Sequence, residues 1–201
     1  MASLGIVREF LSEMSPAEGV AALLVLINVW LIARRSIWNY AFGIVGVAIY
    51  AWVFFGAKLY SDTLLQLFFL VVQVYGWRQW RRSEIEAGEV VVDRLSNRER
   101  LFGLAAIAVA VAGWGWLMHR FTDASLPWWD AGVAMTSVAA QILMSVRKLE
   151  NWWLWIAANI LSIGLYAAKG LWITTGLYVL LLGISIWGLA EWVRARHGAR
   201  A

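Results

Sequence analysis

The sequence predicts an all-α integral membrane protein, with seven transmembrane helices arranged as two parallel three-helix repeats joined by one linker helix. Three observations predict this fold class. The 201 residues are 62% hydrophobic and only 15% charged, and their mean hydropathy is +0.67, far more apolar than a soluble domain. Seven apolar segments are long enough to cross a bilayer core of about 30 Å. Two groups of three such segments also resemble each other in sequence.

The elements follow in order along the chain. Apolar residues at helical spacing in the N-terminal segment, 1–16, predict an interfacial helix. Residues 15–18 have the form of a capping box with proline at the first helical position, which predicts the start of the first span. The predicted spans are 17–33, 37–55, 63–80, 101–118, 128–146, 152–168 and 171–192. They give a first repeat over 17–80, a cytoplasmic loop over 81–100, a linker helix over 101–118, a second repeat over 128–192 and a cytoplasmic tail over 193–201.

The distribution of lysine and arginine predicts the orientation. Thirteen of these residues lie on the side of the C-terminus and four on the side of the N-terminus. We therefore expect the N-terminus outside and the C-terminus in the cytoplasm. Tryptophans at the ends of the spans are expected to anchor the helices at the membrane interfaces. On the cytoplasmic side these are Trp77, Trp80, Trp152, Trp153, Trp187 and Trp192.

An internal repeat is indicated by the ends of the third and seventh spans. They carry the similar motifs YGWRQW at 75–80 and WGLAEW at 187–192. The motifs are 112 residues apart, and the same offset pairs Gln66 with Tyr178. Since a single helix between two three-helix units gives both units the same orientation, a parallel repeat is predicted.

Upstream, the omission of four loop residues aligns 39–50 with 155–166. The second segment carries a polar stripe that stays within about 60° of arc on a helix, whereas the first has two glycines in the corresponding places. The stripe consists of Trp155, Asn159, Ser162 and Tyr166, aligned with Asn39, Gly43, Gly46 and Tyr50. We interpret it as a lining of the translocation path.

Transporters built from such repeats bind their substrate between the two units, near the middle of the bilayer. An alternative role for polar side chains at this depth is hydrogen bonding between helices, worth about 1 kcal/mol each. Function is favoured for Gln66, Gln73 and Asn159, because an unpaired amide in hydrocarbon is costly. Further upstream, residues 33–35 (ARR) match residues 146–148 (VRK), which pairs Asn28 with Gln141.

The residue types exclude several functions. There is no cysteine, and the two histidines lie outside the apolar runs, so no metal, cofactor or enzymatic chemistry is expected. The basic residues set membrane orientation, which disfavours nucleic acid as a partner. No charged side chain lies at the centre of a span, which disfavours ion coupling. Passive passage of a small polar molecule with a flat ring, stacked on Trp155, suits what remains.

Three runs carry a resemblance to a known family. They are YAFGIVGVAIYAWVFFGAKLYSDTLLQ at 40–66, YGWRQW at 75–80 and NWWLWIAANILSIGLYAAKGLW at 151–172. They resemble the PnuC family of bacterial vitamin transporters, and the resemblance covers nearly all of 34–192. It implies a fold similar to that of the SWEET sugar transporters, in the bacterial inner membrane.

The resemblance also implies facilitated diffusion of nicotinamide riboside, trapped by phosphorylation in the cytoplasm. The implied substrate contacts are Gln66, Trp155, Asn159 and Tyr178, followed by Gln73, Asn39, Gln141 and Tyr166. Thiamine and riboflavin remain alternative substrates, because members of the family differ in their vitamin. A membrane scaffold without transport is the alternative class. A homo-oligomer is expected, with a trimer as one form, because the lipid-facing surface of the fourth span serves no evident core.

Overall fold

The computed structural model describes residues 16–56, 60–123 and 125–198. Within these ranges the fold is all-helical, with seven helices and no strand, as the sequence predicts. The helices are α1 (Pro16–Ala33), α2 (Asn39–Gly56), α3 (Tyr60–Ala87), α4 (Asn97–Phe121), α5 (Pro127–Ser145), α6 (Asn151–Ala168) and α7 (Trp172–Gly198). The interfacial helix expected near the N-terminus falls on residues outside the described ranges.

Three helices, α3, α4 and α7, extend well beyond the predicted spans. The segment expected as a loop, 81–100, is helical at both ends, because α3 continues to Ala87 and α4 begins at Asn97. The tail expected from residue 193 onwards is likewise helical as far as Gly198. Hydropathy locates the edge of the apolar segment, whereas ion pairs and caps continue a helix into water. In α3 the continuation includes an Arg82–Glu86 pair of 2.7 Å.

Six of the helices form a ring. Neighbours in sequence pack together within α1 to α3 and within α5 to α7. Contacts of α3 with α5 and of α7 with α1 close the circle. The remaining helix, α4, packs mainly on α5. Consequently α2 and α6 lie on opposite sides of the ring, and α4 lies outside it.

The outer surface of the ring is strongly apolar. Trp52 and Trp172 are 72% and 70% exposed, and Val109 on α4 is 73% exposed. The stretches Asn97–Phe121 and Thr174–Arg196 are each long and apolar enough to cross a membrane by themselves. An apolar surface of this extent matches the hydrocarbon of a bilayer and would be unfavourable in water.

The largest buried side chains lie at one end of the ring. We call it the basic end, because it carries Arg34, Arg35, Arg147 and Lys148. An aromatic cluster closes this end, with ring centroids 5.4 to 5.8 Å apart between neighbours. It consists of Tyr40, Trp80, Trp152 and Trp192, each at most 1% exposed.

The interfacial role predicted for three tryptophans is therefore wrong. Trp80, Trp152 and Trp192 are fully buried, whereas Trp77 and Trp153 are exposed as expected, at 43% and 59%. Position along a helix gives the depth of a tryptophan in the membrane. It does not give the direction in which the ring points, and that direction separates a belt residue from a core residue.

The connections after α1 and α5 are alike. Arg35 and Arg147 adopt the left-handed conformation, with φ of 57° and 60°. In each case the following residue donates its N–H to a carbonyl five residues earlier, from Ser36 to Leu31 at 3.0 Å and from Lys148 to Leu143 at 2.9 Å. This is the Schellman helix end, in which glycine is the usual left-handed residue. Arginine at both positions costs about 1 kcal/mol of backbone strain or more.

The segment between α3 and α4, residues 88–96, lies across the basic end, and we call it the strap. Val90 and Val92 are 3% and 7% exposed and belong to the same buried core as the aromatic cluster. The Ser83 hydroxyl donates to the Glu89 carbonyl at 3.2 Å and accepts from the Val91 N–H at 3.0 Å. The strap is thus a packed part of the fold.

Candidate functional site

The same contact is made twice at the junctions of the ring. The Trp80 indole on α3 donates to the Met144 carbonyl on α5 at 3.1 Å. The Trp192 indole on α7 donates to the Ile32 carbonyl on α1 at 3.0 Å. Donors and acceptors are each 112 residues apart, the offset of the two sequence motifs. The two halves therefore meet through equivalent hydrogen bonds.

The second helices of the two halves follow the same offset. The Asn39 amide donates to the Ser36 carbonyl at 2.7 Å, and the Asn151 amide donates to the Lys148 carbonyl at 2.6 Å. Both asparagines are fully buried at the first position of their helix. Asn39 thus corresponds to Asn151, and the structure favours a structural role for its side chain.

The alignment predicted for these helices is wrong by four residues. The connection from α2 to α3 and the connection from α6 to α7 have equal length, so no loop residues need to be omitted. Residues 39–50 therefore correspond to 151–162. The shared tyrosines, Tyr50 and Tyr166, favoured a register displaced by about one helical turn. The pairing of Asn28 with Gln141 is wrong by one residue, since Ile32 corresponds to Met144 and Asn28 therefore corresponds to Ala140.

In the corrected register, Gly43 on α2 corresponds to Trp155 on α6. The absence of a side chain at Gly43 makes room for two amides. A Cβ atom there would lie 2.1 Å from Gln73 Oε1 and 2.5 Å from Asn28 Nδ2. Asn28 and Gln73 are buried, and Asn28 also donates to the Asn39 carbonyl at 2.7 Å. At this position the first half thus has two amides packed against the backbone of Gly43, whereas the second half has the indole of Trp155.

The second half has its own buried amide. The Asn159 amide donates to the Ser185 hydroxyl at 3.0 Å, and that hydroxyl donates to the Leu181 carbonyl at 2.8 Å. Asn159 is 4% exposed. The bond to Ser185 accounts for one of the two N–H donors of the amide. This chain of bonds ties α6 to α7 and fixes the orientation of Asn159.

Two predicted tyrosines meet farther along α6 and α7. The rings of Tyr166 and Tyr178 are stacked, with centroids 5.1 Å apart and planes inclined by 22°. The fully buried Ser162 lies one turn before Tyr166 on the same helix. These side chains extend the polar stripe of α6 towards the end opposite the basic end.

The remaining predicted residues are placed as follows. Gln66 is half-buried on α3 and corresponds to Tyr178 on α7 at the same 112-residue offset. Trp155 is half-buried and packs against the core at the basic end. Gln141 is 7% exposed on α5. The structure joins Asn159 with Ser185, Tyr166 with Tyr178, and Gln73 with Asn28 around Gly43, but it does not bring all eight predicted residues into one cluster.

Sequence reasoning did not predict the aromatic cluster, although a signal for it exists. Both end motifs contain a glycine, Gly76 and Gly188. A Cβ atom on Gly76 would lie 2.6 Å from the Tyr40 hydroxyl, and one on Gly188 would lie 2.4 Å from the Trp152 ring. The shared glycines are therefore the positions against which two large buried rings pack.

Every buried polar side chain in the described residues is uncharged: Asn28, Asn39, Gln73, Ser83, Thr136, Gln141, Ser145, Asn151, Asn159, Ser162 and Ser185. Amides and hydroxyls can bind the hydroxyl and amide groups of a ligand. An indole face can bind a flat cation without a counter-charge. A ligand with a negative charge would find no partner of opposite sign among these side chains.

A ring of helices with an apolar exterior and buried, uncharged polar groups fits the class of small-molecule membrane transporters. The sequence profile of the nicotinamide mononucleotide transporter family matches residues 15–194, and the chain belongs to this family. It is a family of transporters, not of enzymes.

Relatives agree with this assignment. The nicotinamide riboside transporter PnuC of Neisseria mucosa is 34% identical over 90% of this chain and 74% of its own length. The riboflavin/roseoflavin transporter RibM of Streptomyces davaonensis is 28% identical over 92% of this chain and 88% of its own length. The crystal structure of the vitamin B3 transporter PnuC superposes with a TM-score of 0.75, at 30% identity over 97% of this chain and 88% of that one. The resemblance to the PnuC family is confirmed.

Proposed function

We propose that this protein takes up nicotinamide riboside by facilitated diffusion, as a uniporter that alternates between two open states. The observation that carries the proposal is the asymmetric pair of Gly43, covered by the amides of Asn28 and Gln73, and Trp155. It comes together with a relative at 34% identity that transports this vitamin.

The site chemistry fits this molecule. Nicotinamide riboside has a flat pyridinium ring with one positive charge, a carboxamide and a ribose. Stacking of the ring on Trp155 contributes roughly 0.5 to 2 kcal/mol through the cation–π interaction. The amides of Gln66, Gln73 and Asn159 bind the ribose hydroxyls and the carboxamide, while Tyr178 and Tyr166 cover the substrate from the other end. Phosphorylation of the vitamin in the cytoplasm then prevents its return.

The nucleotide form of the vitamin fits less well. Nicotinamide mononucleotide carries a phosphate, which requires a cationic partner when it leaves water. The buried polar side chains of the described residues provide none. This difference supports the nucleoside as the substrate, even though the family is described by the nucleotide.

We also propose that α1 to α3 and α5 to α7 are parallel repeats joined by α4, as in the SWEET transporters. The equivalent bonds of Trp80 and Trp192 support this arrangement. The basic end then faces the cytoplasm of a bacterial cell, with the N-terminus outside, because lysine and arginine are retained on the inner side of a membrane. The exposed apolar face of α4 supports a homo-oligomer, for example a trimer.

Calorimetric titration of the purified protein tests the substrate. We expect saturable binding of nicotinamide riboside and little heat with nicotinamide mononucleotide. Riboflavin and thiamine are the comparison ligands, because a relative at 28% identity transports riboflavin. Preference for either would replace the proposed vitamin. The absence of binding for all four ligands would favour a membrane scaffold.

A further inference from the structure

The strap is held by an arginine from each half of the ring. Arg35, after α1, donates from Nη1 to the Glu89 carboxylate at 3.0 Å and to the Val90 carbonyl at 3.2 Å. Arg147, after α5, donates from Nε to the Val91 carbonyl at 3.2 Å. Among the described residues, these two are the residues other than glycine that adopt the left-handed conformation. Glycine would remove the backbone strain at both positions, but it would also remove the side-chain hydrogen bonds to the strap.

Backbone pairing adds a second attachment to the later half. The Asp93 N–H donates to the Arg147 carbonyl at 3.0 Å, and the Leu149 N–H donates to the Asp93 carbonyl at 2.8 Å. Asp93 and Lys148 face each other across this short bridge, and their side chains form an ion pair. Beyond it, Glu150 accepts from the Leu95 N–H at 3.1 Å.

The strap also contributes to the hydrophobic seal. Val90 and Val92 pack in a core drawn from both halves of the ring. The first half supplies Tyr40 and Trp80 to this core, and the second half supplies Trp152. The two halves cannot move apart at the basic end unless the strap leaves at least one of them.

We propose that the strap is the latch of the gate at the basic end. With the strap bound to Arg35 and Arg147, the basic end is closed, as in this structure. Release from the second half lets the halves separate and opens the path on that side. The inference rests on the proposed transport function, because only alternating access requires this end to open.

A disulfide across the bridge tests the latch. The protein has no cysteine, so the two cysteines of an Asp93→Cys/Lys148→Cys variant have no other thiol in the chain to pair with. Paired residues on adjacent strands lie about 5 Å apart, within the range that a disulfide spans. We expect oxidation to reduce uptake of nicotinamide riboside into liposomes at least about tenfold, since the open state is no longer populated. Reductant should restore uptake, and calorimetric binding in detergent should change less than about threefold.

The two single-cysteine variants, oxidised in the same way, are the matched controls. Equal uptake by the oxidised and reduced double variant would overturn the latch while leaving the transport function intact. Failure of the reduced variant and of the parent protein to bind or take up the vitamin would instead overturn the proposed function. The two failures are therefore distinguishable.

A second measurement follows opening directly. In a Ser145→Cys variant the new thiol is buried at the basic end, because Ser145 is 2% exposed. Adding Asp93→Ala removes the ion pair that holds the strap to Lys148 of the second half, and we expect the thiol to react with a maleimide about fivefold faster. Arg194→Ala, which removes an exposed ion pair with Glu191 on α7, is the control. An unchanged rate in a variant that still binds substrate would contradict the proposal.

Discussion

Individual positions give the two halves of the site different chemistry on the same backbone plan. Gly43 and Trp155 occupy equivalent places, yet one admits two amides and the other fills the space with an indole. An asymmetric ligand with a ring at one end and hydroxyls at the other requires such a difference. A perfectly repeated pair of halves would offer the same groups to both ends.

The first prediction concerns Asn159. Asn159→Ala should weaken binding of nicotinamide riboside about tenfold, since one hydrogen bond to the ligand is lost. Ser185→Ala is the matched control, because it removes only the partner that orients the amide. Calorimetry on both variants separates the roles. If both variants lose the same affinity, the effect of Asn159 would come from its bond to Ser185 and not from a bond to the ligand.

The second prediction concerns Gly43. Gly43→Ala should displace Gln73 and Asn28, because the new methyl group would overlap with both amides. We expect a loss of about 1–3 kcal/mol in stability, as overpacking costs in other cores, together with weaker binding. Thermal unfolding and titration measure the two effects. Gly113→Ala on α4, with open space around the new atom, should be neutral.

Helix ends and connections decide how the halves fit together. The equivalent indole bonds at the α3–α5 and α7–α1 junctions both lie at the basic end. Each is a second hydrogen bond to a carbonyl near the end of a helix, which also accepts the N–H of Arg35 or Arg147. Their loss should therefore weaken the closed form of this end more than the fold of any single helix.

Trp192→Phe tests this junction. The phenyl ring keeps most of the packing, but the Ile32 carbonyl loses the indole N–H and keeps only the Arg35 N–H, at 2.9 Å, as donor. The net contribution of one hydrogen bond is about 0.5–1.5 kcal/mol, so we expect a lower unfolding temperature. Trp153→Phe, at a side chain that is 59% exposed, is the control. Similar temperatures for the two variants would contradict a role for the indole bond.

The attachment of the strap should depend on pH. The Lys148 ammonium, through its hydrogen bond, holds the pKa of Asp93 below its ordinary value. A lowered pKa means that the folded state prefers the carboxylate. The stabilising contribution is therefore complete above the unfolded pKa near 4 and is lost as the pH falls through the lowered value.

Amide hydrogen exchange at Leu149, whose N–H bonds to the Asp93 carbonyl, follows this attachment. After correction for the intrinsic rate, exchange should accelerate as the pH falls below about 4. In Asp93→Asn the charge is absent, and the acceleration should be absent with it. If both proteins show the same pH profile, another group controls the attachment.

For the whole molecule, transport of a monovalent cation without a coupling ion has a clear electrical signature. A membrane potential does work on the charge of about 2.3 kcal/mol per 100 mV. Liposomes that contain the protein should therefore accumulate nicotinamide riboside roughly tenfold for every 60 mV of membrane potential, negative inside. A valinomycin-clamped potassium gradient sets the potential, and a protonophore should have no effect. Uptake that requires a proton gradient would contradict uniport.

For the described part of the chain, the sequence by itself determined the number and order of the helices, because a run of apolar residues of sufficient length has one stable form in a bilayer. It also determined the family, since Trp80 and Trp155 lie in runs that resemble PnuC transporters. The offset of 112 residues could likewise be recognised from the end motifs alone.

Only the tertiary structure decided how side chains are directed. Trp80 and Trp153 both lie near the end of a predicted span, but one is in the core and the other on the surface. The register of Gly43 with Trp155 and the place of the strap beneath the ring also required the packed fold. The physical reason is that hydropathy records depth along one axis. Which face of a helix meets another helix depends on contacts between residues far apart in the chain.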